Sequence, residues 1–169
     1  MPISQYSDHQ DGVMLCRRGL LRTTVFVLLA APAAACAQDA VVYDMAVRRD
    51  PGCPCCHLWV ALMEETGRFR PTMTDEADMA GLKQSLGVPA DLASCHTAVV
   101  EGLVFEGHVP AADMFRLLAE RPAGVLGLAV PGMPLGSPGM ETPDGRTQPY
   151  TVFAFKADGT RDAFASYGA

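Results

Sequence analysis

The stretch VVYDMAVRRDPGCPCC, residues 41–56, decides how the chain folds. Val41 to Arg49 is an alternating segment rich in β-forming side chains, which predicts a β-strand. Asp50-Pro51-Gly52 ends this strand, because proline and glycine favour turns. A helix is predicted to begin near Cys53–Cys55 and to run to Thr66, with a glycine as its stop. Three cysteines therefore lie where a strand gives way to a helix.

The chain beyond this stretch continues to alternate strands and helices. The predicted elements are a strand over Phe69–Thr74, a helix over Glu76–Leu86, strands over His96–Val100 and Leu103–Glu106, and a helix from Pro110 through Glu120. A Glu101-Gly102 turn joins the third and fourth strands in a hairpin. The order β-α-β-α-β-β-α is the thioredoxin-like arrangement, so we predict an α/β fold with helices covering a four-stranded mixed sheet.

The carboxyl-terminal part has a different composition. Residues 122–149 are rich in glycine and proline and contain a short repeat, Pro131-Gly132-Met133 and Pro138-Gly139-Met140. Tyr150 to Lys156 predicts one more strand, and the end of the chain can pair back on it. This part is too short for a core of its own, so we expect it to pack on the preceding domain as an extension.

The amino terminus has the features of an export signal. These are the basic residues Arg17, Arg18 and Arg22, an apolar run from Leu20 to Ala31, and the small residues Ala35-Cys36-Ala37. We predict cleavage that leaves Gln38 as the first residue, and hence a periplasmic protein. Lipidation of Cys36, twin-arginine export and a buried amino-terminal helix stay open as alternatives.

Composition and length restrict the class of protein. The 169 residues carry a formal net charge of −6, which argues against nucleic-acid binding. No apolar stretch reaches the roughly 18 residues that a membrane span needs. We therefore expect a monomer with three segments: 1–37, the signal with an upstream polar segment; 38–121, the thioredoxin-like domain; and 122–169, the extension packed on the same domain.

The cysteine cluster carries the main chemical signal. Cys53 and Cys56 have the C-x-x-C spacing of a redox pair, and Cys55 adds a third sulfur within the same helical turn. A helix amino terminus favours thiolates, and clustered thiolates repel one another unless a disulfide or a cation intervenes. A soft metal ion fits this set of ligands. A structural zinc site is the alternative, although zinc sites normally combine two separated pairs of ligands.

A fourth sulfur is expected to join the cluster. Cys95 precedes the third predicted strand, and in a thioredoxin-like fold the loop before that strand packs against the redox motif. His96 occupies the place where such folds usually have a cis proline, so it adds an imidazole that faces the cluster. The alternative for Cys95 is a buried structural thiol.

The methionines of the repeat and two other histidines are further candidates. Met133 and Met140 carry thioethers, which suit Cu(I), and the alternative is that they fill apolar gaps under a loop. His57 follows Cys56 on the helix, and a role as a metal ligand is the less favoured interpretation for it. His108 lies at a turn from strand to helix, and a surface position is favoured over a hydrogen-bonding role beside the metal.

Several blocks of sequence together resemble a known family. They are Cys53–Cys56, Leu92–Val100, Glu106–Pro110, Gly127–Pro134 and Gly136–Glu141. In this order they are similar to the periplasmic copper-resistance proteins called CopG, over about residues 40–157. The resemblance implies a thioredoxin-like fold, an extension that helps to bind metal, copper at the C-x-C-C motif, and interconversion of Cu(I) and Cu(II).

The resemblance also implies roles for individual residues. Copper, with Cu(I) favoured, would be held by Cys53, Cys55, Cys56 and Cys95, with Met133 and Met140 as candidates. We add His96 to the metal ligands and take Cys53 and Cys56 as the catalytic pair. A copper-efflux or electron-transfer partner is expected. A metal-independent thiol–disulfide oxidoreductase and a passive copper carrier remain the alternatives.

Overall fold

The computed structural model describes residues 41–168, so the predictions for the export signal and for Cys36 lie outside the described residues. The strands are β1 (Tyr43–Arg49), β2 (Phe69–Asp75), β3 (His96–Val100), β4 (Leu103–Glu106), β5 (Val125–Ala129), β6 (Tyr150–Lys156) and β7 (Arg161–Tyr167). The helices are α1 (Pro54–Glu65), α2 (Met79–Ser85) and α3 (Ala111–Glu120), with a 3-10 turn at Ala90–Leu92. In this part of the chain, no helix has the length and apolar character that a membrane span requires.

One mixed sheet connects all the described strands. Their order across the sheet is β2-β1-β3-β4-β5-β6-β7. The pairs β1–β2 and β4–β5 are parallel, and the other pairs are antiparallel. The α/β class and the predicted order of elements up to α3 are confirmed. The sheet has seven strands rather than four, because β5, β6 and β7 continue it from the edge of β4.

Residues at the ends of α1 fix its position in the chain. Pro54 occupies the first turn, where its missing N–H removes no helical hydrogen bond. Gly67 follows the helix with a φ of 65°, a conformation that glycine adopts without strain. On the inner face, Trp59 and Met63 are fully buried against the sheet. The helix therefore begins directly at the cysteine cluster and is held in place by its apolar face.

The sheet is covered on both faces. One core contains the inner faces of α1 and α3, with strand residues such as Phe105 and Leu128. The neighbouring strand residues Val104 and Ala129 pack with Val88 in a second, smaller core. Successive side chains of a strand point to opposite faces, so these two cores lie on the two sides of the sheet.

One strand was missed, and several element boundaries differ from the sequence-based predictions. Strand β5 was not predicted, because it lies in the glycine- and proline-rich segment 122–149. In the structure, a Cβ at Gly127 would overlap the Val104 carbonyl of β4. Helix α2 begins at Met79 rather than Glu76, since the Asp78 carboxylate caps it by accepting a hydrogen bond from the Gly81 N–H. Pro110 is the residue before the first turn of α3 rather than within it.

Candidate metal centre

The amino terminus of α1 brings three cysteines together. Cys53 and Cys56 form a disulfide, with their Cα atoms 5.7 Å apart. Cys55 is a half-buried free thiol whose Sγ lies 3.3 Å from the Cys53 Sγ. Cys56 is fully buried, whereas Cys53 is half-buried. The described protein therefore has an oxidised pair with one free thiol beside it.

Cys95 lies beside this group, as the sequence predicts. Its Sγ is 3.9 Å from the Cys55 Sγ. The pairing of β1 with β3 explains this position, because Arg49 at the end of β1 is opposite His96 at the start of β3. The Asp50 N–H also donates to the Cys95 carbonyl at 3.4 Å. The turn that carries the cluster and the loop that carries Cys95 are thus held side by side.

Two imidazoles contact the Cys95 sulfur. The Cys95 Sγ lies 3.2 Å from the Nδ1 of His96 and 3.2 Å from the Nε2 of His108. The other ring nitrogen of His108 is 2.7 Å from the Pro138 carbonyl, and the Nε2 of His96 has no hydrogen-bond partner within the described residues. Both side chains are fully buried. The Cys95 sulfur therefore belongs both to the group of four cysteines and to a group with His96 and His108.

The expected surface position of His108 is wrong. After β4, the chain turns at Gly107, which has a φ of 70° and packs so closely that a Cβ would lie 2.6 Å from the Val130 carbonyl. This tight turn directs His108 under the extension, where it meets Pro138. The sequence signal for this turn was Gly107 beside His108 at the end of a predicted strand. Only the position of the extension shows that the turn is covered.

Burial sets the protonation of these groups in the metal-free protein. Burial, with smaller effects from His108 and Lys83, lowers the pKa of His96 to about 3. Burial also lowers the pKa of His108. Burial and the neighbouring Cys55 raise the pKa of Cys95 to about 12. Two neutral imidazoles and one protonated thiol result, so a metal ion that binds Cys95 as thiolate must release a proton.

These shifts predict that acid destabilises the metal-free protein. The pKa of His96 falls from 6.5 in the unfolded chain to about 3 in the native state. Between these values the unfolded chain binds the additional proton, so the free energy of unfolding falls as the pH is lowered. One such histidine contributes about 1.4 kcal/mol per pH unit. Urea unfolding across this range measures the slope, and an equal slope in His96→Asn would contradict the prediction.

The two methionines of the repeat occupy different positions. Met133 is half exposed, and its Sδ lies 3.7 Å from the Cys55 Sγ. Met140 is half-buried and makes no hydrogen-bonding contact with a cysteine sulfur within residues 41–168. The segment before it packs on α1, since a Cβ at Gly139 would lie 2.7 Å from the Trp59 backbone nitrogen. His57 is exposed.

A buried ion pair behind the cysteine loop was not predicted. The Nζ of Lys83 in α2 lies 2.6 Å from the Oε1 of Glu106 in β4, and both residues are buried. Glu106 opens the block Glu106–Pro110, but neither that block nor a single lysine in α2 gives a sequence signal for the pairing.

The donor atoms define what this centre can bind. Ligand atoms of the four cysteines lie within 4.8 Å of one another, as do those of Cys95, His96 and His108. Thiolates and thioethers select soft ions such as Cu(I), whereas imidazoles also suit Cu(II) and zinc. No carboxylate is part of either group, which disfavours calcium and magnesium. The residues present therefore fit copper in either oxidation state.

Comparisons with known proteins agree with this chemistry. A family described as "Protein of unknown function, DUF411" matches residues 92–140, which include Cys95 and both methionines of the repeat. A solved structure titled "Copper resistance protein copG- Form 1" is 42% identical, with a TM-score of 0.70, and the match covers 78% of this chain and 100% of that one. "Copper resistance protein copG- Form 2" is 43% identical, with a TM-score of 0.69, covering 75% and 99%. No curated protein sequence matches the chain.

Proposed function

Because this chain belongs to the CopG family of copper resistance proteins, we propose that it binds copper ions at the cysteine cluster. The proposed ligands are Cys53, Cys55, Cys56 and Cys95, with His96, Met133 and Met140 as additional ligands. The observation that carries this proposal is the convergence of four cysteine ligand atoms within 4.8 Å. His108 joins the proposed ligand set, because its Nε2 is as close to the Cys95 sulfur as the Nδ1 of His96.

We further propose that the centre interconverts Cu(I) and Cu(II). The Cys53–Cys56 disulfide supports this step, because it accepts two electrons and two protons to give two thiols. Two Cu(I) ions that each lose one electron would balance its reduction, and two Cu(II) ions would balance the reverse oxidation. The histidines suit the oxidised ion, while the free thiols and Met133 suit the reduced ion.

The thioredoxin-like assignment and the location of the protein are parts of the same proposal. The β1-α1-β2 unit followed by the β3–β4 hairpin and α3 supports a thioredoxin-like domain over residues 38–121, with 122–169 as its extension. A periplasmic protein that receives copper there would pass the ion to an efflux partner or exchange electrons with an electron-transfer partner. In the periplasm, a bound metal ion would protect the free thiols of Cys55 and Cys95 from oxidation.

Copper titration of residues 38–169 tests the binding proposal. We expect tight binding of Cu(I) in competition with a colorimetric chelator, and no tight binding by the variant with serine at all four cysteines. Cys55 and Cys95 are free thiols, so binding at these two is expected without a reductant. Reduction of the disulfide should raise the amount of bound copper. Unchanged binding by the fourfold variant would contradict the proposal.

The disulfide also favours one alternative function, a thiol–disulfide oxidoreductase that needs no metal. Insulin reduction by metal-free protein separates the two, because only the alternative predicts turnover that is lost in Cys53→Ser. A redox titration of the copper-loaded protein then separates an oxidoreductase from a passive carrier. Copper that does not change oxidation state with an added electron donor would identify the carrier.

A further inference from the structure

The carboxylate of Glu106 makes three hydrogen bonds in the interior of the protein. Its Oε1 accepts from the backbone N–H of Ser94 and from the Nζ of Lys83, both at 2.6 Å. Its Oε2 accepts from the Oγ1 of Thr97 at 2.7 Å. The Nζ of Lys83 also donates to the Oγ1 of Thr97 at 3.0 Å. Glu106 has no exposed surface, so its bonds with Lys83 and Thr97 form away from water, while the bond from the Ser94 amide is partly buried.

Two of these contacts bracket the residues of the metal centre. Ser94 immediately precedes Cys95, and Thr97 immediately follows His96. A single carboxylate thus holds the chain on both sides of the two residues whose side chains meet at the Cys95 sulfur. Two fixed points three residues apart leave the intervening backbone little freedom to move.

Ser94 extends the same connection to the extension. Its hydroxyl donates to the Gly132 carbonyl, and the Gly132 N–H donates to the Ala93 carbonyl at 3.4 Å. Gly132 is followed by Met133, whose sulfur contacts Cys55. A displacement of Ser94 would therefore move Cys95 and release the loop that carries Met133.

The energetics argue against a role in stability alone. Burying a lysine and a glutamate costs several kcal/mol per ion, and an apolar pair of similar volume is often as stable. The presence of a buried ion pair, despite this desolvation cost, is explained if the protein needs its hydrogen bonds to hold another segment in place. Here the bonds of Glu106 converge on the one loop that carries Cys95.

From these contacts we propose that Glu106, held by Lys83, is a positioning residue of the metal centre. It fixes Cys95 and His96 through Ser94 and Thr97, and Met133 through Ser94 and Gly132. This inference rests on the proposed copper site. Glu106 does not touch the metal, and it acts only through the loop.

Hydrogen exchange of the metal-free protein tests the positioning role without copper. In Glu106→Asp the carboxylate is one methylene shorter and cannot keep all its contacts. Exchange of the Ser94 amide should then rise by on the order of tenfold to a hundredfold, beyond any rise at Ala98 in the centre of β3. Leu118→Ala in the core of α3 is the control for lost stability, and it should change both amides equally. Equal changes at both amides in Glu106→Asp would overturn the proposal.

Copper affinity provides the second readout. Loss of a supporting group around a metal site typically costs on the order of tenfold to a hundredfold in affinity, which we expect for Cu(I) binding by Glu106→Asp. The double variant Lys83→Met/Glu106→Gln loses the Lys83 bonds but keeps an oxygen for the Ser94 amide, so it should lose less Cu(I) affinity than Glu106→Asp does. The surface change Glu120→Gln should have no effect.

The two readouts separate failure of this inference from failure of the proposed function. Cu(I) affinity that stays unchanged in Glu106→Asp would overturn the positioning role while leaving the copper site intact. A wild-type protein that binds no copper would overturn the proposed function. In that case Ser94 exchange alone decides whether Glu106 holds the loop.

Discussion

Replacing Cys55 with serine is expected to weaken Cu(I) binding by on the order of a hundredfold or more. Cys55 is at the centre of the sulfur group: its Sγ lies 3.3 Å from Cys53, 3.9 Å from Cys95 and 3.7 Å from the Met133 thioether. It is also one of the two free thiols in the described residues. Structural zinc sites of zinc-finger peptides gain about 10–16 kcal/mol from four ligands, and by analogy one thiolate ligand of a soft ion represents a few kcal/mol. Chelator competition measures the change.

Two further variants make this prediction specific. His57→Ser replaces an exposed side chain of the same helix and should leave Cu(I) affinity unchanged. Met133→Leu keeps the apolar shape and removes only a neutral thioether, so it should weaken binding less than Cys55→Ser does. If Met133→Leu proves as damaging as Cys55→Ser, the thiol is not the principal ligand, and the extension has a larger role in binding than we propose.

Replacing Trp59 with alanine is expected to lower the free energy of unfolding by about 3–5 kcal/mol. The indole is fully buried between α1 and the sheet. Its Nε1 donates to the Val109 carbonyl at 3.0 Å, and its ring lies 4.5 Å from the His96 ring. The substitution opens a cavity and also leaves that carbonyl without its donor. Thermal unfolding of the metal-free protein should show a fall of roughly 10–20 °C in Tm.

Leu58 provides a matched control for this effect. It is the preceding residue of α1 but is 59% exposed. Leu58→Ala should therefore change the free energy of unfolding by no more than about 0.5 kcal/mol. Trp59→Phe, which fills most of the cavity but has no N–H donor, should lie between the two alanine variants. A Trp59→Ala protein as stable as Leu58→Ala would show that this side of the core tolerates loss of its largest side chain.

The local signals in the sequence were sufficient for most of the fold. Proline and glycine bounded α1, and the Glu101-Gly102 turn between two short strand-forming segments predicted the β3–β4 hairpin. Strand β5 was missed because it lies in a glycine-rich segment. Its Gly127 is required by the close approach of the Val104 carbonyl, and this contact joins distant segments of the chain. A single sequence shows glycine as a break in a strand and does not show the neighbour that makes it necessary.

In the candidate site, too, local features could be predicted from the sequence and contacts between distant elements could not. Clustered cysteines and the loop before β3 are local features, so the proximity of Cys95 to Cys55 could be predicted from the order of elements. The burial of His108 and the pairing of Lys83 with Glu106 depend on how separate elements pack together. His108 lies 30 residues from Pro138 in the chain, and Lys83 lies 23 residues from Glu106. Single charged residues have no pattern that reveals such contacts.

The two copies of the Pro-Gly-Met repeat have separate consequences for the protein. The copy at Pro138-Gly139 is wedged against α1 and His108, and any residue larger than glycine would collide with the helix backbone. The copy at Gly132-Met133 lies at the surface, with its methionine half exposed. The copy at Pro138-Gly139 is therefore constrained by packing, and in the other copy Gly132 is constrained by its φ of 69° and its bonds to the Cys95 loop. Only the half-exposed side chain of Met133 is free of such packing, so substitutions of Met133 offer a way to adjust the lifetime of a bound ion without a penalty in folding.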